Sequence, residues 1–501
     1  MNQQISRIAI VSLVLLASLI AATTYWQVWA APGLSARQDN AIQRVAQFEI
    51  KRGLIYAADG KTVLARNVAK KSGSSTLYFR SYPTNGFASQ TVGYSTQGRA
   101  RAGLERSQNA FLTAANANLG TIWEKITDKL KGTTVRGNNI ELHLKPGAQR
   151  LAESLLRGKC GAAVVLNPKT GAVYVMASSP TYNPNKIESP NGYASIIHAP
   201  AACPGSSAAL LNRATQGLYS PGSTFKTVTA AAALDSGKYT ADSRFYDPGY
   251  CELYGQRVYN AGNPDQNGPE QYGNVTFVQA FQHSINAVFC NVGKTLGAKR
   301  VLDEAKQFGF YSKPPLELPS NEIAASGLYN LKKHALYDNA AIVDPGRLAF
   351  GQEHLLVTPL QMAMVAGAVA NGGVVMEPHV IKKVTSPNGN VVVRVKPKEL
   401  RRAMKPLTAA VLNQMMQAVV QSGTGTAAAI NGVKVAGKTG TAETGQNHVY
   451  TAWFIFFAPA DDPQVAGAVA VEHQLNGFGG AIAAPIAKEL MQAILTPTSK
   501  H

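Results

Sequence analysis

From Ile8 to Ala31 the chain reads IAIVSLVLLASLIAATTYWQVWAA, without one charged side chain. A helix needs ~20 apolar residues to cross a bilayer, whereas the apolar core of a cleavable export signal runs to only about 7 to 15. The run is therefore expected to be a transmembrane anchor; a signal peptide cut near VWAA is the alternative. Either device delivers everything after Pro32 to the extracytoplasmic side of the cell membrane. That constrains how the formal charge of +19 is read. A strongly basic surface attracts polyanions, but nucleic acid is not expected there, which leaves anionic lipid and acidic wall polymers. Trp26 and Trp29 are placed for the outer interface, where amphipathic rings are favoured. Flanking charge says little about orientation, since Arg7 precedes the run and Arg37 and Arg44 follow it.

Residues 1–31 are thus taken as a cytoplasmic tip and single-pass anchor. Residues 32–140 form a basic, turn-rich N-terminal module with sixteen Lys and Arg against six Asp and Glu. There RGLIYAADGKTVLA reads as a hairpin around Asp59 and Gly60. From residue 141 to about 497 the pattern is mixed α/β. A helix follows Pro146, and GAAVVLNPKTGAVYVMASSP is strand, turn, strand, with Asn167, Pro168 and Gly171 supplying the turn. HVIKKVTSPNGNVVVRV, residues 379–395, repeats that device, and TPLQMAMVAGAVANGG reads as a helix closed by Gly372 and Gly373. No internal repeat or low-complexity run is present.

Three short motifs carry chemistry. The first is the only S-x-x-K, in LYSPGSTFKTVTAAAAL: Pro221 and Gly222 break the preceding structure, Ser223 opens a helix, and Lys226 follows on the same face, within reach of the Ser223 hydroxyl. A serine is a weak nucleophile without a base. A lysine is a base only when neutral, so its pKa must fall from ~10.4 towards the working pH, through burial and a neighbouring cation. The second is S-x-N, which begins at Ser107, Ser189, Ser284 and Ser386. Ser189 and Ser386 each precede Pro-Asn-Gly and read as turns; Ser107 belongs to the N-terminal module. That leaves Ser284 and Asn286, at a helical start downstream of Ser223. The third is Lys-Thr-Gly, which occurs twice. In NPKTG it occupies a hairpin tip, so Lys169 is expected to be solvated. In VKVAGKTGTAETG, glycines allow a strand to approach a ligand closely, with Lys438, Thr439 and Thr441 expected to point at it.

The ordered set Ser223-x-x-Lys226, Ser284-x-Asn286, Lys438-Thr439-Gly440 resembles the signature of penicillin-binding proteins and serine β-lactamases. Its contexts, NRATQGLYSPGSTFK, GTGTAAAINGVKVAGKTGTAE and VTPLQMA, look like class B penicillin-binding proteins, the monofunctional peptidoglycan transpeptidases. The segments RGLIYAADGKTVLA and TVGYSTQGRARAGLE resemble that family's pedestal module. One departure stands out: the family usually reads G-Q-G before T-P-L-Q, and this chain has GQEHLLVTPLQ, with Glu353.

The resemblance implies an α/β penicillin-binding transpeptidase domain, β-lactamase-like, with an α+β pedestal and a transmembrane helix. It implies Ser223, Lys226, Ser284 and Lys438 as catalytic groups, and Asn286, Thr439, Gly440 and Thr441 as substrate-binding ones. It also implies D-Ala-D-Ala stem peptides as substrate, β-lactams as acylating inhibitors, and a polytopic glycosyltransferase of the shape, elongation, division and sporulation type as partner. No cofactor or metal is implied. The alternatives are a D,D-carboxypeptidase or β-lactamase with water as acceptor, and a penicillin-sensing receptor. A receptor would need further spans, and the sequence has no second apolar run of ~18 residues. A bifunctional glycosyltransferase is disfavoured, because the ~110 residues before the catalytic domain are too few for another enzyme of that size.

Cys160, Cys203, Cys251 and Cys290 have no C-x-x-C spacing and no histidines placed as zinc ligands. Among three possible pairings, Cys251 with Cys290 is favoured: Cys290 shares a helix face with Asn286, and Cys251 lies in the segment between the two catalytic helices. Cys160 and Cys203 then pair with each other or stay free.

Overall fold

The computed structural model describes residues 2–30, 48–115, 134–198, 203, 209–263, 268–445 and 448–496, apart from 74 and 99. The expected apolar run forms a helix, Asn2–Thr24, continued by a wider turn at Tyr25–Ala30. Ser6–Gln27 is long and apolar enough to cross a membrane and none of it is buried against the protein. The end of the run at Ala31, the proposed start of the next module at Pro32, and Arg37 and Arg44 lie outside the described residues.

The part of the chain from Pro146 onward is built on one five-stranded antiparallel sheet. In chain order its strands are β1 (Cys160–Leu166), β2 (Val173–Ser179), β3 (Ala436–Glu443), β4 (Val449–Ala458) and β5 (Val465–Leu475), arranged β3-β4-β5-β1-β2. Helices are labelled α1 (Pro146–Leu155), α2 (Lys226–Asp235), α3 (Asn286–Leu296), α4 (Pro359–Ala370), α5 (Pro406–Ser422) and α6 (Gly479–Leu495). The strand run AWFIFFA in β4 is buried on both sides, so it lacks the alternation of a half-exposed strand. Its period of two instead sorts neighbours between two cores. Phe454, Phe456 and Ala458 pack with α1 and α6. Trp453, Ile455 and Phe457 join the larger core that includes α2, α3, α4 and α5. The sheet is thus the middle layer of a helix–sheet–helix sandwich, and β3 is its edge.

The hairpin expected at Asp59 and Gly60 is present. Ile55 pairs with Ala65 and Tyr56 with Val63, and the Asp59 carboxylate accepts the amides of Lys61 and Thr62. The second predicted hairpin, Ile381–Thr385 with Val391–Arg394, forms too, but its partner was not legible. Ile381–Thr385 pairs with Asn139–Leu142, so the hairpin completes a six-stranded sheet whose other strands come from the N-terminal module. In the same module Glu105 is fully buried between Arg52 (2.8 Å) and Arg80 (2.6 Å). Burial alone would raise its pKa, but the two guanidiniums outweigh it and hold the carboxyl below its usual range.

Both disulfides form, Cys251–Cys290 as favoured and Cys160–Cys203 as the remaining pair.

Candidate active site

Ser223 does not open an α-helix, as its motif suggested. It sits in a 3-10 turn, Gly222–Phe225, that runs directly into α2 at Lys226. In a 3-10 turn residues three apart eclipse one another, so the tighter geometry stacks the lysine stem beneath the serine. Gly222 (φ +50°) donates its amide to the Gly351 carbonyl (3.2 Å), Ser220 Oγ donates to the same carbonyl (3.0 Å), and Trp453 Nε1 donates to Ser220 O (3.0 Å). A Cβ at Gly351 would lie 2.0 Å from the Gly222 carbonyl, so only glycine fits there. Behind the turn, Arg213 Nε (2.7 Å) and Tyr219 OH (3.2 Å) converge on Glu472 Oε1 at the end of β5. Arg213 and Glu472 form a buried brace, and although Arg213 stands in the segment NRATQGLYSPGSTFK, nothing in the sequence pointed to its pairing with Glu472.

Lys226 is fully buried and donates to the Ser284 carbonyl (2.6 Å) and to Asn286 Oδ1 (2.7 Å); Ser284 Oγ lies 3.3 Å away. Among the described residues no hydrogen bond joins Lys226 to Ser223 Oγ, although the motif spacing led us to expect that reach. Catalytic hydrogen bonds are often loose before substrate binds. Burial, and then the charge of Lys438, push the Lys226 pKa well below its ordinary value. A neutral amine donates twice and accepts once, which matches two carbonyl-type acceptors and one hydroxyl.

Ser284 precedes α3 rather than opening it, and its backbone is left-handed (φ +59°), a region uncommon for non-glycine residues. Phe289 lies under Lys226, with Nζ 5.3 Å from the ring centroid.

Lys438 reaches the same cleft from β3. It is fully buried, 5.5 Å from the Phe281 centroid, and burial brings its pKa down to about 7. Strand alternation corrects one expectation. Lys438 pairs with Ile455 and Gly440 with Trp453, on the face towards α2. Thr439 pairs with Phe454 and Thr441 with Ala452, on the opposite face. The three side chains therefore do not share one direction. Thr439 Oγ1 meets Thr424 Oγ1 (2.5 Å), and Thr441 Oγ1 accepts the Gly479 amide (3.2 Å) at the start of α6.

At Gly440 a Cβ would lie 2.8 Å from Pro221 O and from Thr224 Cγ2, so this glycine lets β3 close against the nucleophile turn. The Thr441 carbonyl lies 2.9 Å from where a Gly222 Cβ would be. In a strand the amide and carbonyl of one residue point the same way, so the Thr441 N–H also faces the turn that carries Ser223.

The second Lys-Thr-Gly is elsewhere: Lys169 is half exposed at its hairpin tip, paired with Asp462. Ser386 is a hairpin turn, as read, but Ser189 is a helix cap, its Oγ accepting the Gly192 amide ahead of Pro190–Ile197. A serine before a proline at the first helical position suits that role. Glu353, the departure from the family pattern, has φ +65°. A family glycine at this place has a physical reason, and Glu353 bears the strain of lacking it.

Residues 161–492 match the family model described as "Penicillin binding protein transpeptidase domain" and residues 52–140 match "Penicillin binding protein A dimerisation domain". The chain is 34% identical to the peptidoglycan D,D-transpeptidase PbpA of Mycolicibacterium smegmatis, over 99% of each chain. It superimposes on the ceftriaxone acyl-enzyme of penicillin-binding protein A from M. tuberculosis with a TM-score of 0.79 at 29% identity, covering 90% of this chain and all of that one. A D,D-transpeptidase domain from Eggerthella lenta gives 0.74 at 33% identity, covering 89% of this chain and 98% of the other. With Ser223, two buried lysines and the edge of β3 gathered at one cleft, the chain belongs to the penicillin-binding protein transpeptidases, in the manner of class B.

Proposed function

We propose that this protein cross-links peptidoglycan stem peptides through an acyl-enzyme on Ser223. The observation that carries the reading is a pair of buried lysines, both depressed in pKa. Lys226 donates to the Ser284 carbonyl and Asn286 Oδ1, while Lys438 comes near enough from the edge strand β3 for its charge to act on Lys226. Lys226, neutral, takes the Ser223 proton as Oγ attacks the carbonyl between two terminal D-alanines. The tetrahedral oxyanion lies against the amides of Ser223 and Thr441. Collapse breaks the peptide bond, Ser284 relays a proton to the departing D-alanine amine, and Lys438 tunes that proton transfer electrostatically.

Asn286 already donates one N–H to Tyr259 O (3.1 Å), and its second N–H is available to a substrate carbonyl. Thr439 and Thr441 are assigned the terminal carboxylate, and the start of α6 beside them is favourable for negative charge. The amine of a second stem peptide then attacks the ester, forming the cross-link and freeing Ser223. β-Lactams acylate the same oxygen. The N-terminal helix anchors the chain in the cell membrane with the catalytic part outside, where its basic N-terminal module is available to a polytopic glycosyltransferase partner.

Fluorescent penicillin should label the wild-type protein covalently and leave Ser223→Ala unlabelled but folded, since an exchange at this turn costs only ~1 kcal/mol. Labelling that survives in the mutant would refute the assignment. Measuring D-alanine release with and without an amine acceptor separates cross-linking from hydrolysis to water.

A further inference from the structure

Helix α3 carries Asn286 at its first position, yet its own cap residue, Ile285, has no side-chain oxygen to satisfy the first amides. That oxygen comes from another element. Asn260, just past the strand Gln256–Tyr259, is 7% exposed, and its Oδ1 accepts the Ala287 amide (2.9 Å). Its Nδ2 donates to Asp247 Oδ2 (2.8 Å) and to the Glu270 carbonyl (2.9 Å). Asp247, 1% exposed, also accepts the amides of Gly249 and Tyr272.

An ionised carboxylate only accepts, so the NH2 of Asn260 must face Asp247 and its oxygen must face α3. One residue earlier, the Tyr259 carbonyl accepts Asn286 Nδ2, which turns Asn286 Oδ1 towards Lys226 Nζ. The disulfide Cys251–Cys290 ties the same hairpin to α3 one turn further along.

We infer that Asn260, clamped by Asp247, is a positioning residue of the active site: it fixes the Asn286 amide with its oxygen towards Lys226 and its free N–H towards substrate. Were Asn286 to rotate half a turn, its oxygen would confront the Tyr259 carbonyl, acceptor against acceptor, and Lys226 Nζ would lose the acceptor it now donates to. The clamp makes one orientation the stable one, and it works from outside all three motifs. The inference rests on the reading of Ser223 and Lys226 given above.

The test is a double-mutant cycle on the full chain, with a fluorescent penicillin as probe. The first-order acylation constant and the preceding non-covalent dissociation constant are measured for Asn260→Ala, Asn286→Ala and the double mutant. Asn260→Ala should lower the first-order constant by about 10-fold while the dissociation constant stays within about 3-fold, since the hydroxyls of Thr439 and Thr441 are untouched. In the Asn286→Ala background the Asn260 substitution should cost nothing further. Wild-type acylation by Asn260→Ala, or losses that multiply in the double mutant, overturn the inference. Asp247→Asn, equal in size, leaves one oxygen where two now accept, from the Gly249 amide on one side and from the Tyr272 amide and the Asn260 NH2 on the other. A donor then faces a donor on one side and the clamp is weakened. Any loss of acylation it causes is expected to show the same dependence on Asn286, and a loss independent of Asn286 also overturns the inference. Ser223→Ala distinguishes the two failures, because labelling of that mutant sinks the enzymatic reading whatever the cycle shows.

Discussion

At the scale of single residues the site trades stability for chemistry. Lys438 is buried with its pKa down to about 7, whereas in the unfolded chain it has its ordinary value near 10.5. Between those values the unfolded state binds more protons, so the stability contributed by this group rises with pH. The penalty for burying the ammonium is full below pH ~7 and gone above ~10.5. Lys438→Met should therefore raise the thermal unfolding midpoint at pH 7, by an amount that shrinks as the pH approaches 10. The same mutant should lose acylation by at least ~10²-fold, while Lys169→Ala keeps it, because Lys169 only pairs with Asp462 at the surface. A Met variant less stable than wild type at pH 7, or equal losses from both lysines, would contradict the assignment. Glu353, with φ +65°, gives a second test. Glu353→Gly relieves a left-handed strain of ~1 kcal/mol but frees the unfolded chain by about as much, so it should be near neutral in denaturant unfolding, where glycine elsewhere usually destabilises.

At the scale of elements, the hairpin Tyr250–Leu253 with Gln256–Tyr259 is bonded to α3 through Cys251–Cys290, closing 39 residues of chain. Replacing both cysteines by serine should cost ~3 to 4 kcal/mol, mainly by freeing the unfolded state. Urea unfolding under non-reducing conditions checks it, and a loss below ~0.5 kcal/mol would mean that the bridge does not constrain the chain. This region also marks where the sequence stopped being legible. The motifs that carry Ser223, Lys226, Lys438 and Gly440 were readable because each is local in sequence, although the 3-10 form of the turn at Ser223 was not. Asn260 and Asp247 were not readable, since neither carries a motif: Asn260 meets the Ala287 amide 27 positions along the chain, and Asp247, at the end of the strand Arg244–Asp247, acts only through Asn260. The pairing of Arg213 with Glu472, 259 positions apart, was equally silent. Lys438, Thr439 and Thr441 were expected to point at one ligand, but strand alternation sends Lys438 to one face and both threonines to the other, and which face meets α2 is set by the pairing with β4.

At the scale of the whole molecule, the N-terminal module is not finished by its own residues. Its strand Asn139–Leu142 has Ile55–Tyr56 on one side, and on the other Ile381–Thr385, contributed from 240 residues further along. The Glu317 carboxylate accepts the amides of Val380 and Ile381, while the Glu317 carbonyl accepts Ser107 Oγ. Glu322 accepts the Gly103 amide in the same region. One apolar cluster runs through both parts, with Ile55, Leu104 and Ile140 in continuity with Val380 and Val384. A fragment of residues 32–140 would end inside the strand Asn139–Leu142, leave Ile55–Tyr56 without its neighbour and expose its share of that cluster to water, an invitation to edge-to-edge association. It should therefore show no cooperative thermal transition and should aggregate, whereas in the intact chain the two parts should unfold together. Val384→Pro, opposite Ile140 in the ladder, should remove a strand hydrogen bond and loosen the N-terminal sheet. Hydrogen exchange at Ile55, Ala65 and Ile140 reads that loosening directly. A 32–140 fragment that melts cooperatively as a monomer, or a Val384→Pro chain whose N-terminal amides stay as protected as wild type, would show that the sheet does not depend on the hairpin.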